Sequence, residues 1–156
     1  MRVSIEMEVS ERLKDTLGRV KKELFSPELL EGITRDMGAG LKQRTEEGLD
    51  YEGRRFEPYS EKYKKIRRKK GKKTGAVDLR MSGRMPGSME TRVDPTGTSS
   101  VLYFKGAKEK EVAFYHNEEG VGKKKVKREF FNLSDEDQKR LEKLIGSHID
   151  KVLREN

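Results

Sequence analysis

The sequence contains no cysteine, and that absence removes two classes of site at once. Disulfide bonds and thiolate metal sites both need cysteine sulfur, so neither is possible here. Long apolar runs are missing as well, since none approaches the roughly 20 residues that a membrane-spanning helix requires. The first residues alternate between apolar and polar side chains and contain no apolar signal-peptide core. We therefore expect a protein that acts in a cytosol-like compartment, or in a particle built there, and that does not enter a membrane.

Catalytic signatures are also missing. The sequence has no G-x-S-x-G nucleophile motif, no phosphate-binding P-loop and no dinucleotide-binding glycine pattern. Of its two histidines, His116 has no second ligand at metal-binding spacing, and His148 lies on the apolar stripe of the last predicted helix. The 28 acidic residues are scattered, and no carboxylate pair stands out among them. We expect no enzymatic activity, no catalytic or metal site and no cofactor.

Apolar residues are few for a globular domain, at 31% of the chain against 41% charged residues. With 156 residues the chain has the length of one domain, so we expect a single domain, 1–156, with a small core. Part of such a chain should be extended, or should bury its apolar surface against partner subunits. This composition is the first indication of an assembly protein.

The positive charge is concentrated in one stretch. The net charge is +8, from 36 basic and 28 acidic residues, and nine of the twelve residues from 62 to 73 are basic. Cations so crowded repel one another unless an anionic partner accepts them, and that partner is either nucleic-acid phosphate or an acidic protein surface. The alternative is a solvated arm that its charge keeps soluble. The nine residues are Lys62, Lys64, Lys65, Arg67, Arg68, Lys69, Lys70, Lys72 and Lys73.

Apolar periodicity predicts the elements of the first half. Alternation over 3–9 predicts a strand, and apolar residues at helical spacing over 10–24 and 27–48 predict two helices. Periodicity then stops, and we predict that residues 50–77 form an extended basic arm or loop, with room for a short helix over 59–68.

Three short strands are predicted in the second half, over 89–93, 101–104 and 112–115, and the last two are expected to pair antiparallel and to contribute to the core. A regular apolar stripe after Ser134 predicts a final amphipathic helix. The fold class is therefore α+β: a small antiparallel sheet with helices packed on one face, a long basic loop or arm and a C-terminal amphipathic helix.

Three segments carry an ordered set of motifs. They are DYEGRRFEPY at 50–59, LRMSGRM at 79–85, and YHNEEG at 115–120 followed after a basic stretch by REFFNLS at 128–134. In this order they resemble the virion-morphogenesis, or tail-completion, family of tailed bacteriophages. Members typically show D-x-x-G-x-x-W/F-x-P, L-x-x-S/T-G-x-L, Y-A-x-x-H-x-x-G and R-x-F-L-G-L-S before a final helix. The chain has Phe56 where tryptophan is the more usual residue, a shorter spacing between Tyr115 and His116, and Phe131-Asn132 in place of Leu-Gly.

The resemblance implies a structural, non-enzymatic protein of the phage head–tail junction, assembled in the host cytoplasm into the virion. It implies a homo-oligomeric ring, commonly a hexamer, that contacts other neck and tail proteins such as the connector and the tail terminator or tube. DNA passes through such a ring, so contact of the basic arm with packaged DNA is one expectation. The alternative is a stand-alone nucleic-acid-binding protein that uses Lys62 to Lys73. The motif residues expected to serve folding and assembly are Asp50, Gly53, Phe56, Pro58, Gly83, Tyr115, His116, Arg128, Phe130 and Phe131.

Overall fold

The computed structural model describes residue 18, residues 26–97 and residues 99–155. The strand predicted over 3–9 lies outside the described residues, and so does the helix predicted over 10–24 apart from Gly18, which is helical. In the part of the chain that is described, no helix has both the length and the apolar character needed to cross a membrane.

Helix α1 spans Pro27–Glu46, where the sequence predicts a helix. The Ser26 hydroxyl accepts a hydrogen bond from the Leu29 amide at 3.2 Å, and proline occupies the first helical position. Both features favour a helix start at this point. The helix ends just before Gly48, whose φ of +83° costs glycine little. The predicted second helix is therefore confirmed.

Residues 50–77 are not an extended arm throughout, because they contain the short helix that the sequence allows over 59–68. Glu61–Lys69 form helix α2, and the Ser60 hydroxyl caps it by accepting a hydrogen bond from the Tyr63 amide at 3.3 Å. On either side of α2 the chain enters the core through Phe56, Tyr59 and Val77. These three side chains follow no helical or strand period, which is why periodicity alone reads the stretch as a loop. The basic run therefore lies in a segment, 56–77, whose two ends pack in the core.

The sheet of the described chain has two antiparallel strands, β1, Met89–Val93, and β2, Ser100–Phe104. A short helix α3, Arg84–Gly87, precedes β1 and begins after Gly83, which has a φ of +78°. Glycine adopts a positive φ at little cost, so Gly83 permits the turn that leads into α3.

Helix α1 packs on one face of this sheet and contacts both strands. The approach is close at Gly38, where an added Cβ would lie 3.0 Å from a methyl group of Leu102. Glycine in a helix weakens it by about 1 kcal/mol relative to alanine, and here the smaller residue lets helix and strand approach. The α+β class with a small antiparallel sheet is confirmed.

The third predicted strand, 112–115, is wrong. Ala107–Phe114 form helix α4, and Tyr115–Glu119 continue it as a π-helical turn. The residues that precede 112 are Ala-Lys-Glu-Lys-Glu, which are all strong helix formers, so the chain is already helical when it reaches the apolar residues. Strand β2 consequently pairs with β1 and not with 112–115.

The last helix, α5, spans Asp135–Glu155. The Ser134 hydroxyl accepts a hydrogen bond from the Asp137 amide at 3.0 Å, and the Ser134 amide donates to the Asp137 carboxylate at 2.9 Å. This reciprocal pair satisfies two backbone donors at the helix start. The predicted C-terminal helix and its cap are confirmed.

The core is small, as the composition predicts. It contains side chains from α1, from both ends of segment 56–77, from the strands and from the segment before α5. Its residues are Leu41, Phe56, Tyr59, Val77, Leu79, Met85, Met89, Ala113 and Phe130.

Candidate binding surfaces

The basic run lies on α2 and on the turn that follows it. Seven of its nine cations are exposed, while Lys64 is half-buried and Arg67 is buried. Lys64 pairs with Glu61 at 2.7 Å, one helical turn earlier. Among the described residues, none of the seven exposed cations forms an ion pair with an acidic side chain. These seven form what we call the basic surface: Lys62, Lys65, Arg68, Lys69, Lys70, Lys72 and Lys73.

Arg67 is not part of this surface, although the sequence predicts it there. Its side chain is 1% exposed, and its Nη2 donates to the Asp78 carboxylate at 2.9 Å. Its Nε donates to the Lys73 carbonyl at 2.7 Å. The guanidinium thus ties the end of α2 to the returning chain, and it is turned away from any external partner.

Two guanidinium groups lie over the Tyr59 ring. The Arg67 guanidinium is 4.7 Å from the centre of the Tyr59 ring, and that of Arg128 is 5.4 Å from it. The Tyr59 hydroxyl donates to Asp78 at 3.3 Å and accepts from the Leu79 amide at 3.2 Å. Burial raises the pKa of Tyr59 to about 12, so the ring is neutral and presents a π-face to both cations.

Arg128 connects the third motif segment to the first. Its side chain is 5% exposed, and its guanidinium donates to the Glu57 carbonyl at 2.9 and 3.2 Å and to the Pro58 carbonyl at 3.4 Å. Its backbone amide donates to the His116 carbonyl at 2.7 Å. Because Tyr59 also contacts Leu79, all three motif segments meet around this tyrosine.

The first motif is a closed turn. The Asp50 carboxylate accepts hydrogen bonds from the amides of Glu52 and Arg54, both at 2.9 Å, and Gly53 adopts a φ of +76°. Such a side-chain-stabilised turn suits aspartate and glycine at these positions. Phe56 leaves the turn directly into the core, 7% exposed, whereas Pro58 is exposed. These contacts stabilise the fold. A role of this motif in assembly stays a prediction.

The third motif holds the start of α5 in place. Phe130 is fully buried, and the Phe104 ring lies 6.1 Å from it and 4.8 Å from Phe131, measured between ring centres. The Phe131 amide donates to the Asn117 side chain at 2.9 Å. The two phenylalanines therefore anchor the start of α5 against the sheet.

Arg44 is a residue that sequence reasoning missed. Its guanidinium forms an ion pair with Asp137 and donates to the Asn132 carbonyl at 2.6 Å and the Phe130 carbonyl at 3.3 Å. It thereby links α1 to the start of α5. Nothing in the sequence distinguishes Arg44 from the other arginines, and its partner Asp137 is 93 residues away.

His116 is unsuited to act as a base near neutral pH. Burial, together with the positive charge of Arg128, lowers the pKa of His116 to about 4, so the imidazole is neutral and weakly basic. In the described part of the chain, no group of three histidine, aspartate or glutamate side chains could hold a metal ion.

The aromatic residues around 112–115 are exposed, whereas the sequence predicts them in the core. Phe114 is 50% exposed, Tyr115 43% and Val112 37%, and the two rings stack edge to face with centres 6.1 Å apart. Only Ala113 of this stretch is buried. Helical geometry explains the difference, because a helix turns most of these side chains away from the sheet. We call Val112, Phe114 and Tyr115 the aromatic patch.

An acidic cleft of about 760 Å³ lies where α1 ends and α5 begins. Four exposed carboxylates line it, on Glu47, Glu52, Asp135 and Glu136, against one exposed cation, Lys139. The chain therefore carries a basic surface and an acidic surface on different elements.

Comparison with protein families gives a match over most of the chain. The model of the phage virion morphogenesis family matches residues 8–150. No curated protein and no solved structure matches the chain.

Proposed function

Because the chain belongs to the phage virion morphogenesis family, it is a structural protein of phage assembly, and we propose that it forms a homo-oligomeric ring at the head–tail junction. In this role it completes the tail or joins it to the connector, in contact with other neck and tail proteins. A hexamer is the stoichiometry that we propose, because the motif resemblance implies it.

The observation that carries the proposal of a ring is the aromatic patch. Two adjacent aromatic side chains about half exposed, next to an exposed valine, form a contiguous apolar surface. Such surfaces typically mark contact sites, and aromatic residues are enriched in the buried centres of protein interfaces. Among the described residues, the core cluster holds only nine buried apolar side chains, which leaves apolar burial to be gained on assembly.

The charge distribution favours a ring over a symmetric dimer. Contacts between two different surfaces of the same subunit generate closed rings or open filaments. The basic surface on α2 and the acidic cleft beside α5 offer two such surfaces of opposite sign. Opposite charges steer the approach of subunits and fix their register.

The oligomer is tested by measuring the mass of the purified chain with native mass spectrometry and sedimentation. We expect a species that is a small multiple of 18.0 kDa. Phe114→Asp should shift it to the monomer, because a charge cannot be buried unpaired in an apolar contact. Ala107→Asp is the matched control, since it adds the same charge at another exposed position of α4 and should leave the oligomer intact.

The place in the particle is tested by producing phage without this gene. We expect filled heads and separate tails that fail to join, or tails of abnormal length, with infectivity restored by the intact gene supplied in trans. Tailed, infectious particles at normal yield in its absence would contradict the proposal.

A second candidate is a nucleic-acid contact, and the seven exposed, unpaired cations of the basic surface favour it. Binding to duplex DNA should weaken as salt rises, with log affinity falling by about 0.9 per log unit of salt for each phosphate neutralised. Undetectable or salt-insensitive binding at low salt would exclude it.

Substitution separates the two candidates better than deletion, because removing 62–73 also removes the buried Arg67. We suggest replacing Lys69, Lys70, Lys72 and Lys73 together by glutamine. Intact rings with weaker DNA binding indicate a contact with DNA inside the ring. Loss of the oligomer indicates instead that the basic surface meets a neighbouring subunit.

A further inference from the structure

A short hairpin follows the π-helical turn and lies beside the aromatic patch. The amides of Val121 and Val126 each donate to the other residue's carbonyl, at 2.9 and 3.1 Å, and the turn between them, 122–125, is exposed throughout. An added Cβ at Gly122 would meet no atom within 4 Å, so the turn is open to solvent. We call residues 121–126 the lysine hairpin.

The lysine hairpin is a second basic surface, separate from α2. From 120 to 128 the sequence contains no acidic residue, although Glu118 and Glu119 lie on the π-helical turn before it. Three exposed lysines occupy the turn, and none of them forms an ion pair with a described carboxylate. They are Lys123, Lys124 and Lys125.

The backbone holds this turn in a fixed shape. Lys125 has a φ of +51°, which glycine would adopt at lower cost, and strained backbone of this kind concentrates at functional sites. Gly120 packs so closely that an added Cβ would collide with the Lys125 carbonyl. The lysines are therefore presented on a pre-organised turn, which lowers the entropy cost of binding a partner.

The lysine hairpin and the aromatic patch form one continuous surface. A pocket of about 410 Å³ lies between them, lined by Val112 and Tyr115 of the patch and by Val121 and Lys125 of the hairpin. An apolar centre with a charged border is the usual arrangement of a protein interface. On α2, by contrast, Ile66 is the one described large apolar side chain with comparable exposure, at 41%.

The acidic cleft complements the lysine hairpin in charge. Three of its four exposed carboxylates form no ion pair with a described cation, whereas Glu52 pairs with Arg54. Three unpaired carboxylates thus match three unpaired ammonium groups. These carboxylates belong to Glu47, Asp135 and Glu136.

The cleft also complements the aromatic patch. Leu49 and Tyr51 line it and are half-buried, so part of each side chain remains open to a partner. An apolar wall beside unpaired carboxylates suits an apolar patch beside unpaired lysines.

We propose that the lysine hairpin of one subunit enters the acidic cleft of the next subunit and brings the aromatic patch against the cleft's apolar wall. This inference rests on the proposed ring and names the two surfaces that form its subunit contact. Both surfaces belong to one chain, yet the hairpin lysines pair with no carboxylate of their own cleft, so the contact joins two copies. Because the two surfaces differ, repeating the contact generates a ring and not a symmetric dimer. The basic surface on α2 then stays available for another anionic partner.

Charge reversal tests this pairing. Lys123→Glu with Lys124→Glu reverses the hairpin, and Glu47→Lys with Glu136→Lys reverses the cleft. Like charges then meet at the contact, so we expect each double variant to dissociate, with a dissociation constant at least about 100-fold above that of the parent chain. Mixed in equal amounts, the two variants should form an oligomer that contains both, because each reversed surface then meets its complement.

The matched control reverses two exposed cations on α2, by Lys62→Glu with Lys65→Glu, and should leave the oligomer intact. Sedimentation and native mass spectrometry measure the oligomers, and circular dichroism checks that each variant is folded.

Cross-linking gives a second measurement that leaves most of the charge in place. The chain has no cysteine, so introduced thiols react without background. With a short bifunctional thiol reagent, a chain carrying Lys124→Cys and Glu136→Cys should give a ladder of covalent oligomers. A chain carrying Lys65→Cys and Glu136→Cys is the control and should remain at the monomer mass.

Four results would overturn this contact while the ring itself stands. They are an oligomer that survives both reversals, a mixture of the two variants that stays dissociated, an α2 control that dissociates as fully as the hairpin variant, and a cross-link of positions 124 and 136 within one chain. A parent chain that is monomeric at every concentration contradicts the ring and this contact together.

Discussion

Arg67 offers the sharpest test of how the basic run is built. It is one of nine neighbouring cations in the sequence, and by charge alone its removal should relieve repulsion. In the structure it is the buried one, with hydrogen bonds to the Asp78 carboxylate at 2.9 Å and the Lys73 carbonyl at 2.7 Å and its guanidinium over the Tyr59 ring. We therefore expect Arg67→Ala to destabilise the protein.

The magnitude follows from the burial of the pair. Removing one partner of a buried ion pair costs about 3 to 5 kcal/mol. The Asp78 side chain is 20% exposed and keeps hydrogen bonds from Tyr59 and from the Arg80 amide, so part of its charge stays solvated when Arg67 is removed. We expect a loss of about 2 to 4 kcal/mol in the free energy of unfolding. Arg67→Lys should recover only part of it, because an ammonium group cannot reproduce the planar fork of donors.

The assay is urea unfolding followed by circular dichroism, with Arg68→Ala as the matched control. Arg68 is the next residue and carries the same charge, but it is exposed, so its removal should change stability by no more than about 0.5 kcal/mol. If the two alanine variants are equally stable, the buried role of Arg67 is refuted. If both are more stable than the parent chain, charge repulsion dominates this segment.

Three further outcomes follow from the described contacts. Phe130→Ala should lower the free energy of unfolding by about 3 to 5 kcal/mol, because the ring is fully buried, and urea unfolding measures this. Gly120→Ala should cost clearly more than Gly122→Ala in the same assay. Both glycines have positive φ, but only at Gly120 would a Cβ collide with a backbone carbonyl, that of Lys125 at 2.2 Å. The pKa of His116 is lowered to about 4, below the value of about 6.5 in an unfolded chain, so the unfolded state binds more protons between these values. Above about pH 6.5 His116 is neutral in both states and does not weaken the fold. As the pH drops to 4, the free energy of unfolding should fall by about 2 to 3 kcal/mol on account of His116. His116→Gln should remove this part of the pH dependence.

Periodic elements were predictable, and non-periodic ones were not. Helices α1 and α5 have caps and regular apolar stripes, so local sequence determines where they begin. The strand predicted over 112–115 is wrong because four apolar and aromatic residues fit a strand as well as the end of a helix. The helix-forming residues 107–111 decide between the two.

The candidate surfaces were predictable only in part. Charge along the sequence located the basic surface, yet it did not distinguish Arg67 from its neighbours. That distinction depends on Asp78, which is eleven residues away and meets Arg67 only when the chain returns from α2. The aromatic patch was missed because its exposure depends on the helical geometry of α4, and Arg44 because its partners lie at the far end of the chain.

The burial of Arg67 and the pairing of Lys64 also limit the number of DNA phosphates that the basic surface can contact. Seven cations remain, spread over α2 and one turn, and a nine-residue helix is about 13 Å long. Duplex DNA carries one phosphate charge per 1.7 Å of axis, so about eight phosphates lie along that length, and about half of them face one side. One subunit therefore reaches about four phosphates, and the slope of log affinity against log salt should be close to −4 per subunit and not −8. A slope near −8 for a monomeric form would mean that cations outside the basic surface also contact DNA, and would contradict this estimate.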